Sequence, residues 1–309
     1  MKFIVLGTTE TTLNLVHGLK ETKHKLISLI SLDKRNLPNN SVDNKKFAKE
    51  NGIEYFETAD INSKDSIKYL RRLKADFFIS TWPRIISLKV LEIPKFGVIG
   101  THPSPIPINR GRHPLHWMIA LKIKRSEISF FLMDEGIDTG NILYQKSFNL
   151  GNNMNSANQN LNKAAKSGLK NLLKILDENP NFIGQKQSKL YANTLRKRNE
   201  HDITIDPRMS SDIILRIVSS FCKPYPMARL YVGKGVFLNL VSAKLLDIKL
   251  LRKNWINFEH GYIFKFSGDK VWMKVDNGVM EFNIDRSRAG VSLEALKGKK
   301  IFPPSHYFS

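Results

Sequence analysis

The chain has 309 residues, of which 41% are hydrophobic, and a formal net charge of +21. This length suits one large or two ordinary domains with a substantial core, and no apolar run reaches the roughly 18 residues of a membrane-spanning helix. The single cysteine, Cys222, excludes an internal disulfide framework and is typical of a reducing compartment. We therefore expect a cytoplasmic protein that contacts no membrane.

The first 150 residues alternate between short apolar runs and helix-length segments. The runs that we interpret as strands are Lys2–Leu6, Lys25–Leu32, Asp76–Ser80, Phe96–Ile99 and Ile128–Met133. Strands separated by segments of helical length favour a mostly parallel, doubly wound α/β sheet. A helical periodicity then extends from Asn155 to Leu176, and Pro180 follows it.

The pattern changes after residue 225, where short β-type runs are divided by glycine-containing turns. The runs are Arg229–Val232, Val236–Val241, Tyr262–Phe266, Val271–Val275 and Val279–Ile284. This spacing predicts a smaller, antiparallel C-terminal β domain of OB-like type. We expect three segments: a larger domain over 1–210, a linker helix with a proline-rich connection over 211–228, and the β domain over 229–309.

Two loops that follow predicted strands carry polar side chains. One contains His102-Pro-Ser-Pro-Ile-Pro107 and then Arg110-Gly-Arg112, and the other is Met133-Asp-Glu-Gly-Ile-Asp-Thr-Gly140. In open α/β sheets, reacting groups collect at the carboxyl ends of strands, and both His102 and Asp138 are predicted to lie at such ends. Histidine exchanges a proton near neutral pH, so this pair is a candidate for acid–base chemistry. The alternatives are a histidine bonded to backbone and an aspartate that stabilises its own turn.

Three other site types are less well matched. Gly7-Thr-Thr-Glu-Thr-Thr12 lacks two glycines of a dinucleotide-binding fingerprint, which argues against a nicotinamide cofactor. Asp138-Thr-Gly140 occurs once, whereas aspartic proteases need two facing copies. His102, His113 and His116 have no nearby carboxylate or thiolate that completes a ligand set, so we expect no metal.

Together, the two loop motifs resemble the formyltransferases that use 10-formyltetrahydrofolate, a family that includes methionyl-tRNA formyltransferase and enzymes acting on nucleotide-linked amino sugars. The resemblance covers about residues 1–230 and implies the formyltransferase fold, a Rossmann-like sheet. By motif position, His102 and Asp138 match the catalytic histidine and aspartate of the family. The resemblance implies that folate is bound by Arg84, Ile85, Ile86, Ser104, Pro105, Ile106, Pro107, Arg112, Asp134, Glu135, Gly136 and Ile137. It implies that the acceptor substrate is bound by Thr101, Arg110 and Gly111.

One residue of the family motif is absent. The family has Asn-x-His, in which the asparagine polarises the formyl oxygen, and this chain has Gly100 at that position. Loss of one oxyanion donor costs about 100- to 1000-fold in rate. Either Gly100 leaves space for an amide, or it stays small for a backbone or Thr101 donor or because its φ is positive. Asn109 lies too far along the loop to be the same residue, and a non-catalytic folate- or nucleotide-binding homologue is a further alternative.

The acceptor is indicated by two features. Arg112-His-Pro-Leu-His-Trp117 is similar to the sugar enzymes, and the mixed segment Asp33–Asn44 is shorter than the basic insertion of the tRNA enzymes. Both features favour a nucleotide-linked amino sugar. The OB-like domain suits nucleic acid and makes initiator tRNA the alternative. The spread of positive charge along the chain fits either partner, and the sequence leaves a homodimer open.

Overall fold

The computed structural model describes residues 1–233, 236–247, 249, 251 and 254–285. Their contacts form two compact units. The first contains Met1–Leu115, Lys124–Gly151 and Ser156–Arg196, and the second contains His116–Ile123, Asn152–Asn155 and the described residues after Arg196. Within the described residues, no helix is both long enough and apolar enough to cross a membrane.

The first unit is built on a seven-stranded sheet. Its strands, with two short ones in the loops, are β1 Lys2–Leu6, β2 Lys25–Leu32, β3 Glu54–Thr58, β4 Phe77–Ser80, β5 Val98–His102, β6 Arg110–Gly111, β7 Arg125–Leu132, β8 Ile142–Asn149 and β9 Thr194–Leu195. The helices from Glu10 to Glu178 are α1 Glu10–Lys20, α2 Asn44–Glu50, α3 Lys64–Leu73, α4 Leu88–Leu91, α5 Pro114–Ala120 and α6 Met154–Glu178. The sheet order is β3-β2-β1-β4-β5-β7-β8. β1 to β5 are parallel, which confirms the predicted fold class.

The central strands form because their side chains are apolar on both faces. Phe3, Ile4, Val5 and Leu6 are all fully buried, as expected for a parallel strand covered on both sides. Caps then fix where the surrounding helices begin: for example, the Ser63 side chain accepts the Ser66 N–H at the start of α3.

The strand β7 runs antiparallel to β5, which corrects one expectation about Asp138. His102 pairs with Ser129 and Ile99 pairs with Leu132, so the carboxyl end of β7 lies beside the start of β5. Asp138 therefore does not follow a strand that ends at the same edge as β5. The 133–141 loop instead folds back along the sheet to reach His102.

The second unit contains a six-stranded sheet. Its strands and helix are β10 Thr204–Ile205, α7 Ser211–Ser220, β11 Arg229–Gly233, β12 Val236–Leu245, β13 Ile263–Ser267, β14 Lys270–Val275 and β15 Gly278–Asp285. The order is β10-β11-β12-β15-β14-β13, and every pair except β10–β11 is antiparallel. The antiparallel character is confirmed. Closure into an OB-like barrel stays a prediction, because no pairing among the described residues joins β10 to β13.

The helix α7 packs within the second unit, and the predicted domain boundary at residue 210 stays a prediction. Ile214, Ile217 and Val218 share one core with Leu238 and Phe282 of the second sheet. The apolar face of α7 thus completes the core of the second unit. In this stretch the contacts divide the chain after residue 196, before the predicted boundary. The last predicted segment extends to 309, and its residues beyond 285 lie outside the described residues.

Candidate active site

His102 is the last residue of β5 and its side chain is almost fully buried. Its Nε2 lies 2.8 Å from the backbone oxygen of Asn109. Because a carbonyl oxygen only accepts hydrogen bonds, Nε2 carries the hydrogen in the neutral ring and Nδ1 has the lone pair. Nδ1 lies 3.4 Å from Oδ2 of Asp138. The structure therefore brings the two predicted catalytic side chains together.

Asp138 is held by backbone on one side and reaches solvent on the other. Its Oδ2 accepts the N–H of Gly111 at 2.9 Å, and 20% of its side chain is exposed. A glycine is required at 111: its φ is +92°, and a Cβ there would lie 2.6 Å from the backbone oxygen of Leu195. Because glycine has no Cβ, residue 111 can adopt this conformation next to Leu195, and its N–H bonds the Asp138 carboxylate directly.

The loop between His102 and Arg110 is stiffened by buried hydroxyl groups. Ser104, itself fully buried, donates from Oγ to the backbone oxygens of Ile108 and Asn109. Ser129 Oγ in turn donates to the backbone oxygen of Ser104 at 2.6 Å. The loop also contains Pro105 and Pro107, and Ile106 between them is buried. This loop, predicted to contact folate, thus also supplies the carbonyl that orients His102.

The predicted folate residues after β4 differ in accessibility. Arg84 donates to the backbone oxygen of Ala59 at 2.8 Å and to Oδ1 of Asn36 at 2.7 Å. Ile85 is 77% exposed, whereas Ile86 is buried in the sheet core. The side chain of Ile86 is therefore unavailable to a ligand, and only its backbone can contribute.

The 134–137 turn presents exposed groups beside the reacting pair. Asp134 Oδ1 accepts the Gly136 N–H at 3.1 Å and the Thr139 hydroxyl at 2.6 Å, which fixes the turn. Glu135 and Ile137 are exposed. The loop after β4 begins at the same edge as His102 because β4 is parallel to β5, and the loop after β7 folds back to reach His102 through Asp138.

Arg110 and Thr101, predicted to bind the acceptor, and Arg112, predicted to bind the folate, have different partners. Arg110 donates from Nε and Nη2 to Oε1 of Gln187, a neutral acceptor. Arg112 is exposed, and within the described part of the chain its guanidinium makes no hydrogen bond or ion pair. Thr101 donates its hydroxyl to the backbone oxygen of Ser80. Neighbouring strand residues face opposite sides, so Thr101 points away from His102 and does not replace the missing donor.

Gly100 is packed against aromatic and thioether side chains. It lies two residues before His102, so a side chain there would share the His102 face. A Cβ at Gly100 would be 2.6 Å from Cζ of Phe131 and 2.8 Å from Cγ of Met133. Its φ lies outside the left-handed region. The interpretation that Gly100 leaves space for an amide is therefore wrong, because Phe131 occupies that space. The interpretation that Gly100 has a positive φ is wrong as well.

We expect Gly100→Asn to lower both kcat and stability. The added side chain must displace the buried Phe131 ring, and such overpacking costs about 1–3 kcal/mol of unfolding free energy. Thermal unfolding and steady-state kinetics of the variant measure both effects. Gly100→Ala is the control for the Cβ alone, and Phe131→Leu in the Gly100→Asn background should recover stability. A faster Gly100→Asn enzyme with unchanged Tm would show that the ring is not the obstacle.

His116 and Trp117 belong to the second unit and pack within it. Nδ1 of His116 lies 2.7 Å from the backbone oxygen of Ser220, and the Arg198 guanidinium lies 4.5 Å from the Trp117 ring centroid. The described residues contain no cluster of three histidine, cysteine or acidic side chains that could hold a metal ion.

Sequence reasoning missed Gln187 and Asn193, which bond to Asp138 and Asn109. Neither lies in a periodic or glycine-punctuated segment, and no local pattern marks them. Both contacts join residues far apart in the chain.

The first unit is therefore an α/β domain with an imidazole at the end of a central strand and a carboxylate beside it, which is a candidate site for acid–base chemistry. The family model Formyl_trans_N, described as formyl transferase, matches residues 1–176. The chain therefore belongs to the formyl transferase family, which confirms the resemblance.

Known proteins similar to this chain have two kinds of acceptor. Methionyl-tRNA formyltransferase from Clostridium tetani is 28% identical over 249 residues, covering 78% of this chain and 76% of that protein. The Helicobacter canadensis N-formyltransferase, solved with folinic acid and dTDP-3-aminofucose, superposes with a TM-score of 0.66 at 16% identity, over 92% of this chain and 99% of that one. Methionyl-tRNA formyltransferase from Clostridium thermocellum superposes with a TM-score of 0.57 at 20% identity, over 80% of this chain and 94% of that one. The two structural likenesses support the fold.

Proposed function

We propose that this protein transfers a formyl group from 10-formyltetrahydrofolate to the amine of a nucleotide-linked amino sugar. The observation that carries the proposal is the 3.4 Å contact between His102 Nδ1 and Asp138 Oδ2, in a ring whose other nitrogen is bonded to Asn109. Family membership supplies the reaction class.

The two ring nitrogens of His102 have different roles in this proposal. When bound, 10-formyltetrahydrofolate would supply the formyl group: the amine nitrogen bonds to the formyl carbon, the bond from that carbon to N10 breaks, and tetrahydrofolate leaves with the amine's proton on N10. The amine must lose a proton, and Nδ1 of His102 is the ring nitrogen with a free lone pair. A proton taken up at Nδ1 lies next to the Asp138 carboxylate, which stabilises the positively charged ring. The Gly111 N–H holds that carboxylate in place.

The loops that flank His102 fit a folate. A pteridine ring is flat and largely apolar on its faces, and Ile85 and Ile137 expose 77% and 60% of their surface in those two loops. Apolar side chains exposed in this way lose contact with water when a ring covers them. Arg84 provides a cation suited to the glutamate carboxylates of the same ligand. The backbone of the 134–137 turn offers further polar groups.

The acceptor assignment is supported by Arg112, which the motif resemblance gives to the folate and which we propose contacts the acceptor instead. Its exposed guanidinium has no partner within the described residues and lies next in the chain to Gly111, which bonds the catalytic carboxylate. A planar guanidinium binds phosphate oxygens in pairs, which suits the diphosphate of a nucleotide sugar. The Asp33–Asn44 segment is short in the structure too: a 3-10 turn at Lys34–Asn36 is followed by residues 37–43 and then by α2, without a long basic arm.

Methionyl-tRNA formyl transfer is the second candidate. It is favoured by the sequence similarity to methionyl-tRNA formyltransferases, which extends over 78% of this chain for the Clostridium tetani protein. Both candidates use the same donor and the same His102–Asp138 chemistry. They differ in how many phosphates the protein must contact.

The two candidates are separated by turnover and by salt dependence. With 10-formyltetrahydrofolate present, we expect formylation of at least one nucleoside-diphosphate-linked amino sugar from a panel, and none of methionyl initiator tRNA. Binding of a ligand with two phosphates should weaken with a slope of about 2 on a log–log plot against salt. Turnover of the tRNA alone, with binding that falls about 1000-fold between 50 and 200 mM salt, would establish the second candidate instead.

A further inference from the structure

A segment that we call the strap, residues 184–196, follows α6 and lies against both catalytic loops. At one end, Gln185 exchanges two backbone hydrogen bonds with Ile142, both 2.8 Å, next to the 133–141 loop. At the other end, β9 pairs in parallel with β6, so that Leu195 lies opposite Gly111. The backbone of the strap is thus fixed beside each loop.

Gln187 links the Asp138 turn to Arg110. Its side chain is buried, with 9% of the residue exposed. Nε2 donates to the backbone oxygens of Asp138 at 2.9 Å and Gly140 at 2.6 Å, and Oε1 accepts from Nε and Nη2 of Arg110. Both donor hydrogens and the acceptor oxygen of this amide are therefore used. Replacement of either half of the amide leaves a buried group without its partner.

Asn193 makes the equivalent link to the loop after His102. Its Oδ1 accepts the backbone N–H of Asn109 at 2.7 Å, and its Nδ2 donates to Oδ1 of Asn109 at 3.1 Å. Asn109 is the residue whose backbone oxygen accepts from His102 Nε2. The strap therefore holds the group that fixes the orientation of the imidazole.

The two residues held by the strap share an unusual backbone conformation. The φ angle is +54° at Asp138 and +60° at Asn109. Residues other than glycine keep such angles where the surroundings over-determine them, often at functional sites. Asp138 and Asn109 are also the two residues that contact the nitrogens of His102. The strained positions and the contacts to the imidazole thus coincide.

We propose that Gln187 is a positioning residue for the His102–Asp138 pair, and that Asn193 has the same role through Asn109. This inference rests on the catalytic roles proposed for His102 and Asp138. Gln187 contacts neither ring nor carboxylate, so it acts by placing Asp138. Loss of such placement lowers kcat, and a variant that keeps the oxygen bonded to Arg110 separates this effect from loss of acceptor binding.

The test compares glutamine variants two residues apart. We expect Gln187→Ala to lower kcat about 10- to 100-fold, since a small misplacement of a reacting group has that effect. KM for the donor should stay within about threefold, and KM for the acceptor substrate should do so where Arg110 keeps its partner. Gln187→Glu keeps an oxygen that accepts from Arg110, but it places a second oxygen opposite the carbonyls of Asp138 and Gly140. Its kcat should therefore fall as much as in Gln187→Ala. Gln185→Ala is the matched control: its side chain is exposed, makes no hydrogen bond within the described residues, and should leave kcat unchanged.

Asn193→Ala and Asp138→Asn complete the comparison. Every variant is made in the full-length chain, and its Tm is measured. Asn193→Ala leaves the Asp138 turn intact and should lower kcat by a similar factor. If both Gln187 variants keep the wild-type kcat while Asp138→Asn is slow, the positioning role is overturned and the catalytic pair stands. A change in the Gln187 variants that is confined to KM has the same meaning. A wild-type rate in Asp138→Asn overturns the catalytic pair itself, and with it the basis of this inference.

Discussion

Replacement of His102 by alanine should lower kcat for formyl transfer by about 100- to 10,000-fold, the range for loss of a general acid–base group. The fold should survive. The backbone oxygen of Asn109 that loses the Nε2 hydrogen bond still accepts from Ser104 Oγ at 3.0 Å, so no buried carbonyl is left unsatisfied. The measurement is single-turnover formylation at saturating donor, together with thermal unfolding.

The exposed histidine of α1 provides the control for this variant. His17→Ala changes the same residue type far from the loops and should have a wild-type kcat. A His102→Ala enzyme that works within about threefold of the wild type would mean that another group takes the proton of the amine.

We expect Asp138→Asn to lower kcat by about 100-fold or more. Asparagine has the same shape and also tolerates the left-handed φ of +54°, so the turn should be kept. A neutral amide can still accept the Gly111 N–H, but it no longer offers a negative charge to a protonated His102. The loss should therefore appear in kcat, with KM for both substrates nearly unchanged.

Asp65→Asn, on the exposed surface of α3, is the control for loss of one carboxylate. Asp138→Ala should be slower still, because alanine is strained at a positive φ and the turn itself changes. Equal rates in the wild type and in both Asp138 variants would remove the carboxylate from the mechanism.

The buried centre of the sheet could be predicted closely from the sequence. Lys2–Leu6 and Lys25–Leu32 form strands with the predicted bounds, because strands covered on both faces consist of continuous apolar runs. The strands β3 and β8 lie at the two edges of the sheet, where exposed residues such as Glu54 and Ser147 interrupt the apolar pattern. An edge strand buries less of its surface, so its sequence is less constrained.

The site could be predicted only as far as its local motifs extend. His102 and Asp138 stand in loops with proline and glycine at informative positions. Gln187 and Asn193 act on residues 49 and 84 positions away in the chain. Hydrogen bonds of that sequence separation leave no periodic trace, since only the folded chain brings the partners together. The packing of Phe131 against Gly100 is hidden for the same reason.

The strap also lies beyond the part of the chain that forms the first sheet. The family match ends at residue 176 and the last long helix of the first unit ends at Glu178. The chain up to Glu178 contains all seven strands of the sheet, His102 and Asp138. The amides of Gln187 and Asn193, which bond to Asp138 and Asn109, follow it. The residues that form the sheet therefore end earlier in the chain than the residues that hold the two loops around His102 in place.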